Sequence, residues 1–413
     1  MAKAKVKQRK DNKGRVLQKG ESQRKSDGMY IYTYVDPYGK RCYVYSKDIF
    51  TLREKEQDLI RAQMDGLDYY VGGHATINMV FDRYMSTKYN LRATTRSNYI
   101  YMFDRFVRDE FGNKFLTDIK YTDVKLFYYH LLNDKNIAIN TLDTIHTVLH
   151  PIFDMAVRDD IIRKNPTDGV MAEIKKNSGK NKGIRHALTV EQQKAFIEAV
   201  KTTPEFYHWY PLFATLLGTG MRIGECTGLT WKDVDFDKRS ISVNHAATYY
   251  MRDGKAGFAI SKPKTEAGIR HIPMMDSVYD ALKNEYDRQK RDGFNVYQLE
   301  GYTGFVFVNK EGRLHNPHCV NLAIRRIYEA YNAREIIDAK KEHREPVIIP
   351  HFSCHVLRHT FCSRLCESDM NIKVIQEIMG HRNVETTLDI YTEVNFNKKQ
   401  ESLQELAKKM EFF

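Results

Sequence analysis

The apolar positions along the chain change period between blocks, and the changes divide it. Within the first 70 residues, positions 29–35 and 41–45 alternate polar and apolar side chains around Asp36-Pro37-Tyr38-Gly39. Period-two alternation on both sides of a Pro/Gly turn predicts a β-hairpin. Thr51 then opens a helix predicted to reach Leu67, with Leu52, Leu59 and Met64 among its apolar residues. From 75 to 168 the period lengthens to that of a helix. Thr76 precedes the stripe Ile77, Val80, Phe81, Tyr84, and a second stripe of Tyr99, Phe103, Phe106 and Val107 stops at Gly112. Thr122 opens a third stripe with Val124, Phe127 and Leu131, and Asn140 a fourth through Leu142, Ile145, Leu149, Ile152 and Met155. Pro151 stands inside the fourth and is expected to kink or split it.

No period runs through 173–185, which holds Lys175, Lys176, Lys180, Lys182 and Arg185 with Gly179 and Gly183, and it reads as a flexible basic linker. The last block begins at Thr189, where Gln192 completes a capping box. An apolar run at 212–217 ends at Gly218-Thr219-Gly220, and 240–245, 258–261 and 269–274 read as short strands. Ser353 is placed to cap a helix whose buried side carries Leu357, Phe361 and Leu365. Residues 372–379 form a striped helix ended by Gly380, and Asn383 caps a short helix reaching Tyr391. Leu403, Leu406 and Met410 then share one face of a charged tail helix before Phe412 and Phe413. The expected fold is multi-domain α+β: a small β-sheet domain at 1–70, an all-α domain at 75–168, the linker at 173–185, and a mixed, mainly-α domain with a small antiparallel sheet at 186–413.

Charge changes this picture at the N-terminus. Of the net +12, residues 1–26 hold +8, from ten Lys or Arg including Lys7, Arg9 and Lys10 against Asp11 and Glu21. Such a cluster suits phosphate neutralisation, and a solvated arm has the same composition. No apolar run long enough to span a membrane occurs, and the basic start lacks the apolar stretch of a signal peptide, so a cytoplasmic protein is expected. The six cysteines show no disulfide framework and read as free thiols.

The candidate chemistry is confined to the last block. Arg222 follows the glycine break at 218–220, and Lys264 lies in the turn 262–268. His355 and Arg358 stand three apart on one helix, His381 follows Gly380, and Tyr391 ends the next short helix. Two guanidinium groups can hold both non-bridging oxygens of a phosphate. No carboxylate cluster with metal-ligand spacing accompanies them, so no metal site is expected and the positive charge would come from side chains. Singly, each residue has a plain structural reading: a buried Arg222–Glu225 ion pair, a surface lysine.

Taken in order, the strings Gly-Met-Arg222-Ile-Gly-Glu225, Pro-Lys264-Thr, His355-Val-Leu-Arg358-His359-Thr, Met-Gly-His381 and Thr386-Thr-Leu-Asp-Ile-Tyr391 resemble the tyrosine recombinases, or phage-type integrases. The resemblance covers about 185–395, and the blocks before it look like the core-type and arm-type DNA-binding domains of conjugative-transposon integrases. It implies that Tyr391 attacks the scissile phosphate, with His355 as base, Lys264 as acid, Arg222 and Arg358 stabilising the transition state and His381 bonding the phosphate. Glu225 and His359 would support these from behind, and no cofactor is required. It also implies double-stranded DNA with core and arm sites, a homo-tetramer, and an excisionase or DNA-bending factor as partners, with the tail helix docking in trans or in cis. The alternatives are a dimer-resolving recombinase, a non-catalytic regulator on the same scaffold, and a zinc protein built on Cys354, His355, His359 and Cys362.

Overall fold

The computed structural model describes residues 9–35, 41–64, 75–178, 186–252, 255–263, 268–368 and 370–392. The expected turn at 36–39, the end of the first helix at 65–67, Lys7, Lys180, Lys182, Arg185, Lys264 and the tail beyond 392 lie outside the described residues. The chain divides into two compact units, 1–180 and 181–413.

In the first unit, β1 (Glu21–Gln23), β2 (Tyr30–Val35) and β3 (Arg41–Ser46) form an antiparallel sheet in that order. The pair β2–β3 is the predicted hairpin, in register from Tyr30↔Ser46 to Val35↔Arg41. Helix α1 (Ile49–Met64) packs Ile49 and Leu52 on Tyr30. It starts ahead of Thr51 because the Asp48 carboxylate accepts from the N–H groups of Phe50 at 2.8 Å and Thr51 at 3.1 Å, a stronger cap than a hydroxyl. So small a core needs polar staples. Arg53 pairs at 2.8 Å with the buried Glu21, and Arg15 at 2.7 Å with Asp11, which also accepts from the Tyr30 hydroxyl at 2.9 Å. Arg15, one of the basic N-terminal cluster, is therefore engaged within the fold, whereas Arg9 and Lys10 are exposed.

The helical block comprises α2 (Ile77–Thr87), α3 (Ala93–Phe106), α4 (Tyr121–Asn133), α5 (Ile139–Arg158) and α6 (Val170–Ser178). The Thr76 hydroxyl caps α2 through Met79 N–H at 3.3 Å, and Ile77, Val80, Phe81 and Tyr84 are buried as the stripe required. Two expectations are corrected here. Helix α5 is not split, for it runs through Pro151 with Val148, Leu149, Ile152 and Phe153 essentially inaccessible around it. A mid-helix proline costs about 3 kcal/mol, and burying each of those side chains recovers about 1.5–3 kcal/mol. The second correction concerns the linker, whose start at 173 is helical. Val170, Met171 and Ile174 of α6 enter the core of the helical block, while Lys175 and Lys176 stay exposed and Lys175 pairs with Asp143 at 2.7 Å.

The second unit is built around α8 (Tyr210–Thr219), whose residues from Leu212 onward are all buried. Around it pack α7 (Val190–Thr202), α9 (Ile223–Thr227), α10 (Asp276–Asp292) and α12 (Cys354–Glu367), with α11 (Pro317–Lys341) against α7 and α12. The predicted Thr189–Gln192 capping box opens α7. Strands β4 (Val234–Asp235), β5 (Ser240–Val243) and β8 (Arg270–Pro273) make one antiparallel sheet; β6 (Ala246–Arg252) and β7 (Lys255–Ser261) make a separate hairpin. Strand β6 is unforeseen, although Asp253-Gly254 after it is a strong hairpin signal. Ser353 occupies the cap position of α12 without a side-chain cap bond; Asn321 Oδ1 takes the Cys354 N–H at 2.9 Å instead. The chain then forms α13 (Ile372–Met379) and α14 (385–392). None of the six cysteines is in a disulfide, and no described helix is long and apolar enough to cross a membrane.

Candidate active site

Two left-handed glycines set up the site. Gly220 ends α8 with φ +62°, and a Cβ there would come within 2.5 Å of Phe361 and 3.0 Å of Met379. Only glycine lets α8 close on α12 and α13 this way. Its carbonyl accepts from Arg358 Nη1 at 2.6 Å, and the Met379 carbonyl accepts from Nη2. Gly380, φ +61°, ends α13 likewise, and its carbonyl accepts from Arg222 Nη2 at 3.3 Å. Both arginines are thus aimed by carbonyls at helix ends.

Around them lies a cavity of about 510 Å³ lined by Arg222, His355, Arg358, His359, His381 and Arg382, with Asn383, Thr386, Asp389 and Ile390 from the segment leading to Tyr391. The structure therefore brings together four of the six predicted residues: Arg222, His355, Arg358 and His381. Arg222 also makes the ion pair that was its structural alternative, at 2.8 Å to Glu225, while nearly half its side chain stays accessible. Burial, and then Arg222, push the Arg358 pKa down to about 9. Still charged at neutral pH, it gains from any anion that enters. Tyr391 does not line the cavity; its half-buried ring packs against the cluster of Phe361, Cys362, Cys366, Ile375 and Met379. Lys264 lies outside the described residues. His359 lines the cavity and contacts Ser363 Oγ at 3.4 Å. Cys362 is wholly buried while His355 on the same helix is exposed, so the residues of the zinc alternative are divided between core and surface.

Two residues of the site were not read from sequence. Arg270 on β8 is buried and grips Glu225 with Nη2 at 2.8 Å and Nη1 at 3.3 Å, while its Nε donates to the Ile378 carbonyl at 2.7 Å. Burial alone would raise the Glu225 carboxyl; the bonds and charge of Arg270, with help from Arg222, outweigh it and hold it at about 2. Glu225 also accepts from Arg222 N–H at 2.9 Å, so one carboxylate ties the start of α9 to β8. The second is Thr387, inaccessible on α14, whose hydroxyl meets His381 Nδ1 at 2.9 Å and fixes the ring.

His381 is nearly buried, and burial, then Arg358 and Arg222, lower its pKa from 6.5 to about 4. The folded chain thus holds it neutral where the unfolded chain protonates it. Its contribution to stability is complete above pH 6.5 and is lost as pH falls toward 4. We expect the unfolding temperature of the native chain to fall more steeply between those values than that of His381→Asn. Parallel pH profiles in thermal melts would refute the assignment.

Two arginines on helix-end carbonyls, one buried and one exposed, with two histidines and a downstream tyrosine on a mainly-α domain, define a class of protein, the tyrosine recombinases. The chain belongs to the phage integrase family, whose pattern matches residues 186–398, and residues 5–63 match the DNA binding domain of Tn916 integrase. It is 31% identical, over 97% of both chains, to the transposase from transposon Tn1545 of Streptococcus pneumoniae and to that from Tn916 of Enterococcus faecalis. The Tn1549 transposon integrase in complex with transposon right end DNA superposes with a TM-score of 0.67 at 28% identity, covering 81% of this chain and 100% of that one. A lambda integrase dimer bound to a core site shares the fold at 16% identity, with a TM-score of 0.51 over 91% of this chain.

Proposed function

We propose that this protein integrates and excises a mobile DNA element, cutting each strand through a 3′-phosphotyrosine on Tyr391. The observation that carries the assignment is the convergence of Arg222, Arg358, His355 and His381 on one cavity at the end of the segment leading to Tyr391. The Tyr391 hydroxyl oxygen bonds to phosphorus as the bond to the 5′-oxygen breaks; its proton passes to His355, and Lys264 supplies one to the departing 5′-oxygen. Arg222 and Arg358 carry the extra negative charge of the five-coordinate phosphorus. With Thr387 donating to Nδ1, His381 presents Nε2–H to a phosphate oxygen. The phosphodiester bond energy is kept in the tyrosyl ester, so attack by a 5′-hydroxyl of a second DNA molecule reverses the step and exchanges strands.

Double-stranded DNA is the substrate to which the relatives point, the Tn1549 integrase having been seen with a circular intermediate. We assign arm sites to the domain at 1–70, through Lys7, Arg9 and Lys10, and core sites to the helical domain at 75–168. We assign contacts with the DNA backbone to Lys175, Lys176, Lys180, Lys182 and Arg185, and the chemistry to the domain at 186–413. A homo-tetramer performs the exchange, and an excisionase or DNA-bending factor sets its direction. The test is a joining reaction with purified protein, a circular element junction and target duplex, in EDTA and without ATP. Joined strands are expected. Products that appear only with a divalent metal or ATP would overturn the tyrosine mechanism.

A further inference from the structure

At the other end of α8 lies a second cavity, of about 670 Å³, which the recombination chemistry does not use. The ten residues of α8 separate it from the Arg222–Arg358 cavity by about 15 Å. Its volume falls in the range of small-molecule sites, about 300–1,000 Å³. One wall is aromatic, with Tyr207, Trp209 and Phe307, and His315 lies 4.5 Å from the Trp209 ring centre.

Polar side chains supply much of the rest of the lining. Asn295 Oδ1 accepts the Tyr297 N–H at 2.7 Å, which fixes the amide's orientation and leaves its Nδ2 buried with no partner among the described residues. A buried donor of this kind costs free energy until something accepts from it. His208 and His315 each give one ring nitrogen to a backbone carbonyl, of Glu205 and Val308. Burial holds both imidazoles below their ordinary pKa, so at neutral pH the other nitrogen of each is an acceptor. The two lining carboxylates, Glu285 and Asp292, are both bonded to Arg288. Lys310 lines the cavity, exposed, with no ion pair among the described residues.

We propose that this cavity binds an anionic heteroaromatic small molecule of mononucleotide size. The ring stacks on the Tyr207–Trp209 wall, its edge exchanges hydrogen bonds with Asn295 Nδ2 and the histidine nitrogens, and Lys310 holds the anionic group. The full chain is titrated calorimetrically with AMP, GMP, CMP and UMP, and with adenosine and inorganic phosphate as probes of ring and anion alone. At least one mononucleotide is expected to bind with Kd below about 1 mM. Inorganic phosphate and adenosine should each bind at least about tenfold more weakly. Lys310→Glu and Tyr207→Ala, both at exposed positions, should each weaken binding by a similar factor, and Trp209 fluorescence should change on saturation. Absence of binding by all four mononucleotides overturns the proposal, as does phosphate binding equally well. Binding untouched by both substitutions, or displaced by saturating duplex DNA, overturns it too, because the nucleotide is then elsewhere. None of these readouts depends on recombination.

Discussion

Tyr391→Phe is expected to abolish covalent attachment to a nicked suicide duplex, a loss on the order of 10⁴ or more, while leaving DNA affinity and unfolding temperature close to native. The geometry explains both halves. The ring of Tyr391 packs on Phe361, Cys362, Cys366, Ile375 and Met379, contacts that a phenylalanine ring retains. The substitution removes one hydroxyl from a half-buried side chain, so little stability is at stake. On the proposed mechanism the chemistry, by contrast, loses its nucleophile. Ile390 and Asp389 line the cavity and Tyr391 does not, so the proposed attack requires its hydroxyl to turn in from the α12–α13 side toward Arg222 and Arg358. An adduct that persists in the Phe variant identifies another of the 26 tyrosines as nucleophile. Tight binding with no adduct from either protein favours the regulator reading.

The site was legible where a residue's chemistry is tied to a break in periodicity. Arg222 and His381 follow glycines that end helices, and such glycines are visible as punctuation; in space those same glycines supply the carbonyls that aim the arginines. Arg270 was illegible because its strand inverts the usual pattern. On β8 the arginine points inward while its apolar neighbour Ile269 is more than half exposed, and only the presence of Glu225 from α9 makes this favourable. A residue whose burial depends on a partner 45 positions away leaves no local trace. A split at Pro151 and the start of the basic linker were misread for a related reason: tertiary burial of Ile152 and Ile174 overrode the local signals of a breaker and a charge run. Thr387 was missed because a small polar residue in a helix reads as surface.

Arg270→Leu is expected to destabilise the catalytic domain by about 3–5 kcal/mol at pH 7, the usual effect of stripping one partner from a buried ion pair. Glu225 would remain in the core with Arg222 alone against it, and the Ile378 carbonyl would lose its donor. If charge is the cause, neutralising the carboxylate should recover part of the loss. Arg270→Leu combined with Glu225→Gln should therefore be more stable than the sum of the single variants predicts, by about 0.5–3 kcal/mol, since Gln still accepts the Arg222 N–H. The pH dependence has a definite sign. In the native chain the Glu225 carboxyl is held at about 2 against an ordinary 4.5, so its contribution is complete above 4.5 and lost as pH falls toward 2. Without Arg270, burial drives that carboxyl up, and the variant's deficit against native narrows as the medium is acidified through this window. Urea unfolding of both proteins at pH 7 and at pH 4 measures it. A deficit that stays constant with pH, and that Glu225→Gln does not relieve, would mean that Arg270 acts by filling space between β8 and α13 and not by its charge.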